Sequence, residues 1–172
     1  MSISGLILKR RASMLDWFTT TTLGKMIATF FISMLPIVEL RAGLPYGIAL
    51  GLDYWQALIC AVLGNLVPVP FIILFIRQIF TWLRKKHKKL DQWITKQEKK
   101  AADKSKVVDK YGPVGLCLLV AIPLPGTGAW TGALVAALMD MRLLRALPSI
   151  ILGVLIAAGI MTGVTYGVIR IV

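Results

Sequence analysis

Charge is spread so unevenly along this chain that the pattern alone excludes most folds. Residues 83–110 hold eleven Lys and Arg against four acids, a net +7. On either side lie long apolar runs, Trp55–Trp82 and Leu147–Ile169. At 1.5 Å per helical residue, each is long enough to cross a hydrocarbon layer of about 30 Å. Only 16% of the 172 residues are charged, 57% are hydrophobic, and the mean hydropathy is +0.76. A soluble domain carries about a quarter charged residues. The chain therefore reads as an integral membrane protein. Its backbone groups must then be satisfied internally, which points to an all-α fold. The formal net charge of +12 invites a nucleic-acid partner, but the basic residues flank apolar spans and no nucleic-acid motif accompanies them. Anionic lipid headgroups along the basic block fit better.

Two further apolar stretches are interrupted. The first, Met34–Gly47, carries Pro36, Gly43, Pro45 and Gly47, together with Glu39 and Arg41. As one helix, residues 23–52 would run about 45 Å, too long for the bilayer core without a large tilt. Two half-helices meeting near Pro36 and Pro45 solve this as a re-entrant hairpin. Irregular backbone and ionisable side chains at membrane depth are tolerated where protein or a cavity covers them. The second stretch, Ala121–Gly132, is broken by Pro123, Pro125, Gly126 and Gly128. Pro36 and Pro123 are 87 residues apart, and so are Asp53 and Asp140. A long apolar span follows each broken stretch. Interrupted segments at matching positions in two halves mark a transporter site at a repeat interface.

The expected architecture is a single membrane domain, residues 1–172, of two inverted repeats, each a Pro/Gly-broken re-entrant helical hairpin plus a transmembrane helix. Residues 1–22 form an interfacial segment, 23–82 the first repeat, 83–110 a basic amphipathic linker helix near the headgroups, and 111–172 the second repeat. Within the first span, Gly64, Asn65, Pro68 and Pro70 predict a kink. Asn65 there either caps freed backbone groups or contacts substrate. The positive-inside rule places the linker in the cytoplasm, although Lys9, Arg10 and Arg11 favour the same side for the N-terminus. The protein is expected to be multi-pass in the cell (inner or plasma) membrane, with no cleavable signal peptide. Cys60 and Cys117 read as buried small apolar residues, and His87 as part of the solvated basic face. Gly159, Gly163 and Gly167 form a small-residue face suited to close helix contact, and a homodimer is expected.

Glu39-Leu-Arg-Ala-Gly-Leu-Pro45, the segment Pro123–Gly132 and the basic linker between them resemble the small multidrug export family, from about residue 24 to residue 168. More distantly, the layout is similar to the DedA, or SNARE-associated (VTT), membrane proteins. The resemblance implies two re-entrant hairpins meeting at mid-membrane and either proton-dependent transport or lipid flipping. It assigns the acidic role to Glu39 and the basic role to Arg41. The second hairpin departs from that pattern in having no arginine; Arg142 and Arg145 follow Asp140.

The residues suggest a proton-coupled transporter of a small amphipathic or lipid-phosphate substrate. Glu39 is its proton carrier, and substrate or proton competes for one charge of the Glu39–Arg41 pair. Gly126, Thr127 and Gly128 offer backbone amides to an anion. Trp130 is placed to stack on an apolar or cationic group. No nucleophile–base set, metal-ligand cluster or phosphate-binding loop is present, so neither an enzyme nor a cofactor is expected. The alternative is a non-transporting membrane scaffold or assembly protein in which Glu39 and Arg41 form a structural pair.

Overall fold

The computed structural model describes residues 17–36, 38–86, 88–124 and 127–171. The expectations for the chain before residue 17, and for His87, Pro125 and Gly126, fall outside these. The described residues form helices and no strand: α1 (Thr22–Met34), α2 (Glu39–Ala49), α3 (Tyr54–Leu66), α4 (Pro68–Lys86), α5 (Lys88–Ala121), α6 (Ala129–Leu138) and α7 (Leu143–Ile171). They divide into two compact units, Met1–Gly64 and Asn65–Val172.

In the first unit, α1 starts at a Thr21 cap, whose hydroxyl accepts the Gly24 N–H at 3.1 Å. It stops at Leu35, which is extended (ψ 137°) because it precedes Pro36, whose ring disfavours a helical residue before it. After the break, α2 begins at Glu39 and packs against α1. Pro45 was expected to break the chain, but it lies inside α2. It removes only the bond to the Arg41 carbonyl, and the helix continues. Gly43 and Gly47 are also helical, and their role is close approach. Ser33 and Thr29 fold their hydroxyls back onto their own helix, donating to the Thr29 and Lys25 carbonyls at 2.8 Å each. A methyl group on Gly43 would lie 1.9 Å from Ser33 Oγ, and one on Gly47 3.0 Å from Thr29. Small residues meeting small residues let two apolar helices pack tightly where water does not drive them together.

In the second unit, Val67 interrupts the helix before α4. Pro68 and Pro70 sit in the first turn of α4, where backbone N–H groups lack helical partners anyway. The linker helix ends close to residue 110, where Gly112 leaves helical backbone. It belongs to α5, which runs to Ala121 through a sharp turn at Gly112 (φ 56°, ψ −134°). The limbs fold back so closely that a methyl on Gly115 would lie 2.3 Å from the Val107 carbonyl oxygen. Ile94, Ala101 and Val108, spaced by seven, are buried to 0–2% exposure, and α5 packs against α4, α6 and α7. The part of the expected apolar stripe formed by Ile94 and Ala101 is thus covered by protein. Its charged neighbours Lys96, Lys99 and Lys106 remain exposed. The short α6 is Ala-rich and largely buried.

Contacts within the first half recur in the second. Gly43 meets Ser33, and Gly132 meets Val120; Gly64 meets the Phe30 carbonyl, and Gly153 the Cys117 carbonyl. Before the break the matching residues (Phe30 and Cys117, Ser33 and Val120, Pro36 and Pro123) are 87 apart; after it (Gly43 and Gly132, Gly64 and Gly153) they are 89 apart. The second break, 122–128, is longer than the first, 35–38, in keeping with the change. The closing turns match in the later register. Gly51 N–H bonds Ile48 O and Leu52 N–H bonds Gly47 O; Asp140 N–H bonds Ala137 O and Met141 N–H bonds Ala136 O. Both are Schellman caps around a left-handed residue, Gly51 (φ 80°) and Asp140 (φ 54°). Asp140 therefore corresponds to Gly51. Asp53, which opens α3 by accepting the Ala57 N–H, corresponds to Arg142, which accepts the Ala146 N–H.

Two helical stretches, Tyr54–Trp82 and Leu143–Thr165, are long and apolar enough to cross a membrane, and only 39% and 28% of an 18-residue apolar window in each is buried. A soluble core helix would be mostly covered. Instead Phe71, Phe75 and Ile79 on α4, and Leu152, Ile156 and Ile160 on α7, are exposed at spacings of four, a face that suits lipid.

Candidate functional site

The first unit holds Glu39 and Arg41 in the opening turn of α2. Glu39 is 5% exposed, while Arg41 is half-buried. Glu39 also has φ 49°, the left-handed region, where the Cβ of an L-residue crowds the next carbonyl oxygen at a cost of about 1–2 kcal/mol. A buried carboxylate and a strained backbone thus coincide at the point where the chain re-enters a helix. In the register of the later contacts, the counterpart of Glu39 is Gly128, again at the start of the second short helix and again with positive φ (122°). The second half meets the backbone demand with glycine. The first half keeps a residue that suits that backbone less well. Strain of this kind persists where surrounding structure enforces it, and it concentrates at working sites.

Thr127, Gly128 and Trp130 belong to the second unit. Thr127 spends its polar groups locally: its N–H donates to the Leu124 carbonyl at 3.1 Å, and its hydroxyl accepts the Leu124 N–H at 3.2 Å. It also lies 2.7 Å from both the Ile122 and Leu124 carbonyl oxygens. In this conformation Thr127 shapes the break. Trp130 is half-buried. Asn65 is 3% exposed, and its Oδ1 has no hydrogen-bond partner. A buried amide oxygen without a donor costs about 1–3 kcal/mol, so this atom suits a water or ligand donor. Its counterpart in the second half, Val154, is apolar and buried. Pro36 and Pro123 lie in the two breaks.

Two polar features were not anticipated. Thr29 and Ser33 are completely buried, and their spacing of four with Gly43 and Gly47 was the available signal. Arg77 donates to the Asp140 carboxylate and, at 3.0 Å, to the Leu138 carbonyl. It closes the C-terminal end of α6, where a cation complements the helix dipole. Its signal was a lone charge inside an apolar span. This pair brings the last turns of the first apolar stretch to the entry of the second. Among the described residues no group of three or more His, Cys, Asp or Glu could hold a metal ion.

A helical chain with two long, largely uncovered apolar stretches and a short apolar helix ahead of each is a membrane protein. Residues 39–160 match the family described as Putative small multi-drug export protein, and the chain belongs to that family. No curated protein and no solved structure matches it.

Proposed function

We propose that the protein is a proton-coupled membrane transporter in which Glu39 carries the proton or meets the substrate. The observation that carries this reading is the buried, left-handed Glu39 at the break between α1 and α2. A buried carboxylate can take up a proton or meet a cationic ligand, and acids at membrane depth mark such pathways. The family description, a small multi-drug export protein, agrees with transport. The buried polar side chains Thr29, Ser33, Glu39 and Asn65 can all accept hydrogen bonds, and no basic side chain is buried among the described residues. That favours a cationic or neutral amphipathic substrate over a lipid phosphate.

In this reading the two halves are inverted repeats whose broken segments re-enter the membrane, and the basic block faces the cytoplasm. The Arg77–Asp140 pair supports a common side for the end of the first span and the start of the second. The protein works as a homodimer in the cell membrane. Methyl groups on Gly159, Gly163 or Gly167 would meet nothing within 4 Å, so this face is open to a second copy. Glu39→Gln, reconstituted in liposomes with an imposed pH gradient, should lose substrate flux driven by the gradient while keeping its fold. Undiminished flux would remove Glu39 as the carrier. Flux absent from the wild type as well would favour the scaffold reading.

A further inference from the structure

The Arg77–Asp140 pair stands between two open clefts. One, of about 350 Å³, is lined by Arg77, Gln78, Thr81 and Trp82. The other, of about 330 Å³, is lined by Pro113, Asp140, Met141, Arg142 and Arg145. Arg142 and Arg145 are exposed, and among the described residues neither guanidinium has a recorded hydrogen bond or ion pair. Three arginines against one aspartate leave the lining net positive. Asp140 already engages Arg77, so the unspent guanidinium donors are those of Arg142 and Arg145. Exposed apolar residues adjoin the linings in sequence or belong to them: Leu144 (86% exposed) lies between the two arginines, Val114 (64%) follows Pro113, and Trp82 (58%) lines the other cleft. We propose that these clefts dock the headgroup of an anionic phospholipid, with its phosphate on Arg142 and Arg145.

The chemistry is specific to that partner. Two arginine forks match phosphate oxygens in a way that a lysine point charge does not. Trp82 ends an apolar span, where tryptophan settles at headgroup depth. Leu144, between the two arginines, offers apolar surface to the glycerol and upper acyl chain. The basic block starts two residues beyond Trp82 and would favour the anionic leaflet. The site rests on the membrane assignment, not on transport. It differs from the lysine face of α5, which carries only long point charges.

The full-length protein in neutral detergent is melted with rising short-chain phosphatidylglycerol, short-chain phosphatidylcholine or inorganic phosphate. Phosphatidylglycerol should raise the melting temperature saturably, and the other two should not. Arg142→Ala/Arg145→Ala should lose most of that shift. Lys96→Ala/Lys99→Ala/Lys100→Ala and Glu39→Gln should keep it, which separates this site from the transport reading. The proposal is overturned if the arginine double variant keeps the shift, if phosphatidylcholine matches phosphatidylglycerol, or if inorganic phosphate alone reproduces the effect. Should the alanine pair fail to fold, Arg142→Lys/Arg145→Lys keeps the charge without the forks. An undiminished shift there also overturns the site.

Discussion

Comparing Glu39→Gly with Glu39→Ala isolates the backbone at the candidate site. Both variants remove the carboxylate, so whatever that side chain touches cancels between them. Two terms remain. At an ordinary interior helix position glycine is about 1 kcal/mol worse than alanine, because the unfolded chain gains freedom. At φ 49° the alanine methyl crowds the following carbonyl, which reverses the preference by about 1–2 kcal/mol. The sum puts Glu39→Gly level with Glu39→Ala or above it, by up to about 1 kcal/mol. For a chain of this size that corresponds to about 2–4 °C in melting temperature per kcal/mol. Thermal unfolding of the purified variants in the same detergent reads the difference. A clear advantage for alanine would refute a left-handed Glu39, and with it the case that function holds a poorly suited residue there. Glu39→Gly should also lose gradient-driven flux although its backbone is relaxed, which a purely structural acid would not require.

Asp140 allows a parallel comparison. Its pair with Arg77 is half-exposed and worth about 0–1 kcal/mol, so Asp140→Gly should stay within about 1 kcal/mol of wild type because it relieves the left-handed strain. Asp140→Ala loses the pair without that relief and should melt lower than the glycine variant; equal melting would refute the cap. Gly64→Ala places a methyl 2.2 Å from the Phe30 carbonyl oxygen, a backbone atom that cannot rotate away, so about 1–3 kcal/mol of overpacking should outweigh any helix gain. Unchanged melting of Gly64→Ala would refute that contact. Cysteines placed near Asp53 should be labelled from outside intact cells and those at 96–106 should not; the reverse pattern would invert the orientation.

The sequence made the class legible because membranes restrict composition more than shape. The apolar run Trp55–Trp82, interrupted by the single charge of Arg77, had few alternatives, and Pro36 marked the first break because a proline constrains the residue before it. Pro45 misled because the sequence does not say whether a proline's missing hydrogen bond can be tolerated within a helix. Gly43 and Gly47 look like breakers until their partners Ser33 and Thr29 are known, since close approach is a property of two segments. The linker's apolar residues were legible as a stripe, but what covers them depends on the Gly112 turn. The strain at Glu39 has no signature in composition at all.

The change of register carries a further consequence. With a constant offset of 87, Glu39 would match Gly126 and Asp53 would match Asp140, giving the halves similar charges. The contacts after the break shift by two residues. Glu39 then matches Gly128, Asp53 matches Arg142, and Asn65 matches Val154. Among the described residues, the polar groups that the first unit buries (Thr29, Ser33 and Glu39) have apolar or glycine counterparts: Thr29 and Leu116, Ser33 and Val120, Glu39 and Gly128. The same helix–break–helix packing is built twice, but acceptor chemistry is installed only once. Burying each acceptor costs free energy that the apolar counterpart avoids. A scaffold would have no reason to concentrate that cost in one half. In the proposed transporter, one proton or one cationic ligand at a time asks for no more than one buried carboxylate, and among the described residues Glu39 is that group.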